Sequence, residues 1–253
     1  MNLTRARLSS YVNGLKTLSS AAQAELSNAL FDVWQATGRD IDALHDAVNM
    51  LAPPIAAKYG QASGTLAAEL WEEIYRADTG RTASAIIDDA DDSRLFGASS
   101  GYAFSGDPLD PDLATAHVLG IMNKAVNGHA RRTMTRNTAN HGGRYARVPT
   151  GATTCAFCLM LASRGFVYRS AESAGEFDSY HSHCDCQVVA SFDEDNSAID
   201  GYDPDEYLAM YRAAARESVY ESTEGHYGKH AEGHSRSSVY STLTNMRKMY
   251  GLK

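Results

Sequence analysis

Apolar residues recur at helical spacing through the first 80 positions. Leu26, Leu30, Val33 and Trp34 follow an i, i+4, i+7, i+8 stripe. Ser19 or Ser20 can cap that helix and Gly38 can end it. Asp40 opens a second stripe, with Ile41, Leu44, Val48 and Leu51, which Pro53-Pro54 is expected to break or kink. A third runs from about Ser63 through Leu66, Leu70, Trp71 and Ile74 to Gly80. Each helix carries one apolar stripe and must bury it against a neighbour or a partner.

Residues 81–112 lose this periodicity. Ile86-Ile87 meets Asp88, Asp89, Asp91 and Asp92, and glycine- and proline-containing turns follow, so the stretch reads as a loop-rich connector whose acidic cluster is solvated. Asp110 or Asp112 starts a long helix with Pro111 in its first turn and Val118, Ile121, Met122, Ala125 and Val126 on its buried face. Asn140-His-Gly-Gly143 stops it. Arg144-Tyr-Ala-Arg-Val-Pro149 alternates as a strand, with Tyr145 and Arg147 on one side. Cys186 to Phe192 reads as a second strand. Asp203-Pro-Asp-Glu206 is a capped helix start, and a last helix is expected from about Ser235 through Val239, Leu243, Met246 and Tyr250.

The fold class is therefore α+β, mostly α. The expected organisation is an N-terminal helical arm over 1–80, a connector over 81–112, a small helix-and-strand unit around the cysteines within 113–195, and C-terminal helices over 196–253. No run approaches the ~18 apolar residues of a membrane span, so no membrane association is expected. Met1 to Leu8 has two arginines with no apolar stretch behind them, unlike a secretory leader.

Charge adds a segmentation that periodicity does not show. Residues 1–112 hold 8 basic and 16 acidic side chains, residues 113–171 hold 8 basic and none acidic, and residues 172–253 hold 7 and 15. Either the basic segment pairs with its acidic flanks, or it is kept free of carboxylates because it faces phosphate. On the second reading, Arg131, Arg132, Arg136, Arg144 and Arg147 contact packaged double-stranded DNA without reading bases.

All four cysteines lie between positions 155 and 186, as Cys155-Ala-Phe-Cys158 and Cys184-Asp-Cys186. Two intervening residues let Cys155 and Cys158 reach one ion from a single turn. In an extended chain Cys184 and Cys186 project to one side. Two thiolates from each half make a tetrahedral structural zinc site, with His181 as substitute ligand if one of the C-terminal cysteines is displaced. The alternatives are two disulfides or unligated buried thiols. His230-Ala-Glu232 falls after the cysteines, and Thr154 stands where a zinc deaminase has proline, so that signature is not met. No Gly-x-Ser-x-Gly, phosphate-loop or dinucleotide pattern occurs, no Ser–His–Asp set is fixed by the sequence, and no catalytic residue is assigned.

These residues carry a resemblance. The run from Arg132 to Phe192 resembles the Mu F-type minor head protein domain of tailed bacteriophages, in the variant of actinobacterial phages and prophages. The matching positions are Arg132-Thr133 to Asn137, Cys155 to Gly165, Val167-Tyr168, Ala171-Glu-Ser-Ala-Gly175, Tyr180-His-Ser-His-Cys-Asp-Cys186 and Gly201-Tyr202-Asp203. Asp185 departs from the pattern, in which arginine is more usual. The resemblance implies a low-copy, non-enzymatic minor capsid protein for head morphogenesis. It would be associated with the portal and other head proteins, would lie in the capsid interior of the virion, and would pass through the host cytoplasm during assembly. The alternative is a capsid maturation protease or another zinc-dependent hydrolase.

Overall fold

The computed structural model describes residues 2–106, 108–151, 154–169, 181, 184–193, 198–223 and 239–252, without the side chains of 2 and 218–223. Three long helices form its body: α1 (Arg5–Ala36), α2 (Ile41–Thr79) and α4 (Pro111–Asn140), with the short α3 (Ser93–Ala103) between the last two. An antiparallel hairpin, β2 (Arg144–Val148) with β3 (Gln187–Ser191), pairs Arg144 with Ser191 and Val148 with Gln187. Between its strands lies α5 (Ala156–Ala162). Elsewhere β1 (Asn2–Leu3) runs parallel to β4 (Ala198–Ile199), followed by α6 (Pro204–Thr223) and α7 (Val239–Tyr250). The α+β, mostly α class holds. Among the described residues no helix is long and apolar enough to cross a membrane.

Local chemistry sets most boundaries. Asp40, Asp110 and Asp203 accept backbone N–H groups of the first turns that follow them, and Pro111 and Pro204 take the first helical position. Gly38, Gly80 and Gly251 adopt positive φ just beyond helix ends. Two expectations fail. The first helix begins at Arg5, capped by Thr4, so Ser19 is a buried mid-helix residue that donates to Asn123 Oδ1 at 2.6 Å. The second and third helices are one, continuous through Pro53-Pro54. The carbonyls that lose their donors there belong to Asn49 and Met50, both exposed, where water can replace the missing bond. Ala52, Ile55 and Ala56 around them are buried. The expected start of the last helix near Ser235, like Ala171–Gly175, Tyr180, His183, and His230 to Glu232, lies outside the described residues.

The helical body encloses two cores. One joins Leu26, Leu30, Val48, Ala52, Phe96, Val118, Met122 and Val126, at the end closed by α3. The other joins Leu8, Val12 and Leu15 of α1 and Leu70, Trp71 and Ile74 of α2. It continues through Met134 of α4 to Tyr145, Val188, Val189 and the cysteines. A smaller cluster packs α5 on α6 and α7 through Leu159, Ala214, Leu243 and Met246. Residues 1–80 thus share their cores with α4 and the hairpin and are not a detached arm.

The connector is also not a solvated loop. Residues 81–92 run without regular structure across α2 and α4, bound at successive steps. The backbone of Ala85 donates to Glu72 Oε1 (2.8 Å), and Ile86 exchanges two 2.8 Å bonds with the Asn137 amide. The N–H of Asp88 donates to Thr133 Oγ1 (2.9 Å). Asp89 and Asp91 are exposed, whereas Asp88 and Asp92 are buried against α4. There Asp88 Oδ2 lies 2.8 Å from His129 Nδ1 and 2.9 Å from Arg132 Nε, and Asp92 Oδ2 lies 3.0 Å from His129 Nε2. Gly60 of α2 faces this ring so closely that any Cβ there would collide with it.

Candidate metal centre

The hairpin and α5 carry the cysteines to one point. Cys155 is the N-cap of α5, and its sulfur accepts the N–H of Cys158 at 3.2 Å. Cys158 then points from the first turn toward the chain that enters β3. That chain turns at His181, whose carbonyl accepts the N–H of Cys184 at 3.0 Å, and runs extended through Cys186. Extension puts Cys184 and Cys186 on the same side, with sulfurs 3.2 Å apart and each 3.3 Å from Cys158. None of the four is in a disulfide, and all are buried.

Five candidate ligands form two overlapping triads that share Cys158. Cys155, Cys158 and His181 make one, and Cys158, Cys184 and Cys186 make the other; within each, the ligand atoms lie within 4.8 Å of one another. Thiolate and imidazole donors at this spacing suit a soft or borderline cation, with sulfur ligands held from two separate segments. As thiols the cluster is electrostatically divided. Hydrogen bonding from Cys158 draws Cys184 down to about 3 and Cys155 to about 5, His181 adding to the latter. Cys158 is pushed far up, since its proton serves Cys155 and the pair across from it. Hydrogen bonding and burial hold Cys158 and Cys186 toward their protonated forms, and a cation bound by all four sulfurs takes the place of those protons.

Two arginines that the sequence reading assigned to phosphate belong to this site. Arg131 of α4 is 1% exposed. Its Nε donates to the Cys186 carbonyl at 3.2 Å, and its Nη2 reaches the carbonyls of Cys184 and Cys186, each at 3.0 Å. Arg147 of β2 is 0% exposed and places Nη2 at 3.2 Å from Cys186 Sγ, 3.9 Å from Cys158 Sγ and 4.0 Å from Cys184 Sγ. Its guanidinium also lies 5.9 Å from the Phe157 ring centroid. Arg132 is committed to Asp88, as described above. Of the five expected DNA contacts, Arg136 is exposed and Arg144 half-buried, so the structure does not assemble the five into a phosphate-facing surface. The signal available in the sequence was the strand alternation that puts Arg147 beside Tyr145, on a face that the hairpin buries.

The loop between the two C-terminal cysteines is pinned separately. The Thr150 hydroxyl donates to the Asp185 carbonyl, and Thr154 Oγ1 lies 3.4 Å from Asp185 Oδ2. Asp185 is half-buried, whereas Cys184 and Cys186 on either side of it are buried.

Residues 2–214 match the VG15 protein family. Curated relatives include the Gene 15 protein of Mycobacterium phage L5, 36% identical over 88 residues, which cover 21% of this chain and 30% of the relative. The Gene 15 protein of Mycobacterium phage D29 is 36% identical over 80 residues, covering 21% and 29%. The chain thus spans less than a third of the length of the curated relatives it matches. No solved structure matches it. The family match runs from β1 into α6, through both helical cores and the whole cysteine cluster, and on that coverage the chain belongs to the VG15 family of phage proteins.

Proposed function

We propose that this chain is a minor capsid protein of the Mu F type. It is a non-enzymatic part of head morphogenesis that stands beside the portal inside the capsid, with a structural zinc ion in its cysteine centre. The observation that carries the reading is a pair of overlapping triads, Cys155–Cys158–His181 and Cys158–Cys184–Cys186, that share Cys158 between α5 and β3. The described part of the motif behind the Mu F resemblance thus brings its cysteines together, in a chain of a phage family. The site's chemistry fits a structural role: the sulfurs are buried, backed by guanidinium groups, and tie α5 to the hairpin. Zinc supplies the cross-link when bound.

Co-expression of the full chain with the portal, scaffold and capsid proteins of its phage tests the assembly role. The chain is expected to co-purify with procapsids and to be lost from them when portal is omitted. Procapsids that form and package normally without it would overturn the reading. So would capsid or scaffold cleavage that depends on this chain and disappears on changing one of its Ser or His residues.

A further inference from the structure

We propose that the ligands of the centre are the four thiolates of Cys155, Cys158, Cys184 and Cys186, with Arg131 and Arg147 as built-in counter-charges and His181 as an outer hydrogen-bond partner. This rests on the metal reading above and adds to it the ligand set and the residues that tune it.

Burial separates the fifth candidate from the other four. All four cysteines are buried, whereas His181 is exposed. Its carbonyl closes the turn onto Cys184, and a ring nitrogen lies within 4.8 Å of the sulfurs of Cys155 and Cys158. An imidazole that supports a sulfur from outside is placed as the groups around metal ligands usually are, orienting the ligand rather than binding the ion. Cys155 is buried, and the Cys158 N–H is directed at its sulfur.

Charge gives the second argument. A divalent cation with four thiolates carries two net negative charges, against one for three thiolates and an imidazole. A buried charge must be compensated where it lies. Two guanidinium groups, always protonated, are buried against this cluster. Arg147 faces the three-sulfur face of Cys158, Cys184 and Cys186. Arg131 approaches from the other chain segment and clamps the carbonyls of Cys184 and Cys186, which fixes the spacing of those two ligands. Two cations match two excess negative charges. They also account for basic residues in the interior of a protein whose net charge is −8.

Cobalt(II) substitution of the full chain tests this, since thiolate-to-cobalt charge-transfer intensity counts sulfur ligands and the ligand-field bands distinguish four sulfurs from three sulfurs and a nitrogen. The wild-type chain should give the four-sulfur spectrum. His181→Gln should keep it with one equivalent of metal, and Cys155→Ser should lose about a quarter of the charge-transfer intensity. Arg147→Met should weaken zinc binding about 10- to 100-fold in competition with a chromophoric chelator, the usual penalty for losing a group that supports ligands. Arg147→Lys should recover part of that loss, with helical circular dichroism unchanged in both. A three-sulfur, one-nitrogen spectrum that His181→Gln abolishes overturns the ligand assignment while leaving the metal reading intact. Unchanged zinc affinity in Arg147→Met overturns the counter-charge role. A wild-type chain that binds neither metal overturns the metal reading itself.

Discussion

α4 carries buried positive charge in two directions, and the two sites it serves are built on opposite principles. On one side His129 and Arg132 meet the carboxylates of Asp88 and Asp92, a site of fixed ions closed by the protein alone. On the other, Arg131 reaches past the helix to the carbonyls of Cys184 and Cys186, where the negative charge belongs to thiols that can be protonated or exchanged for a metal. The first site locks a strap onto the helical body whatever the ionic conditions within its pH range. The second becomes rigid only as its proton content and ligand state allow. One helix thus couples a permanent clamp to a conditional one. Within the carboxylate-free segment Arg132 pairs with the acidic flank at Asp88, whereas Arg131 and Arg147 serve the cysteine cluster.

The largest expected contrast comes from breaking the conditional clamp. Structural zinc supplies an apparent ~10–16 kcal/mol in small peptide systems. Chelation, or Cys184→Ser, should therefore strip hydrogen-exchange protection from β2, β3 and α5. The core around Leu26, Val48 and Met122 should keep its protection. Equal loss in both regions would mean that they are one cooperative unit.

Breaking the permanent clamp comes next. Asp88→Ala leaves His129 and Arg132 with part of their charge unopposed, and removing one partner of a buried pair costs about 3–5 kcal/mol. Arg132 is partly exposed, so the lower end is expected, measured by urea denaturation. Asp89→Ala, on an exposed carboxylate of the same strap, should shift stability by less than about 0.5 kcal/mol.

The same clamp has a pH signature. Burial disfavours the charged ring of His129, but Asp88 and Asp92 outweigh it and raise its pKa from 6.5 to about 9. A raised folded-state value means that the stabilisation is complete below about pH 6.5 and is lost as pH rises through about 9, a change of order 3 kcal/mol. Burial likewise works against the Asp88 carboxylate, but hydrogen bonding from His129 and the charge of Arg132 hold its pKa below 3.8, so that contribution disappears only in strong acid. Denaturation midpoints at pH 6, 8 and 10 should fall for the wild type relative to His129→Gln. Parallel curves for the two would contradict the clamp.

Smaller effects sharpen the same contrast. Gly60→Ala pushes a methyl group into the His129 ring and should cost about 1–3 kcal/mol, as overpacking does. With Arg131 and Arg147 buried and Arg132 paired with Asp88, Arg136 and Arg144 are left for phosphate, and binding to random-sequence duplex DNA should show a log–log salt slope no steeper than about −2. A slope near −5 would require the buried arginines to leave their sites.

What the sequence made legible follows from where each signal is local. Caps and stops such as Asp40, Asp110-Pro111, Asp203-Pro204 and Gly80 act within one turn, and those boundaries were readable. The spacing within each cysteine pair was readable for the same reason, since each pair sits within four residues, and the paired pattern itself pointed to one shared site. The fusion of two helices across Pro53-Pro54 was not, because its justification is packing by Ala52, Ile55 and Ala56 against distant helices. Nor were the strap and the buried arginines. Asp88, Asp89, Asp91 and Asp92 look alike in sequence, and only contact with α4, some 40 positions away, separates the buried pair from the exposed one.

The most direct measurement is the metal and thiol content of the full chain purified without added metal, by elemental analysis and native mass spectrometry. The account predicts one equivalent of zinc per chain and four reduced cysteines that become reactive to thiol reagents only after chelation. Less than about half an equivalent, or a mass that shows disulfides in place of bound metal, would contradict it.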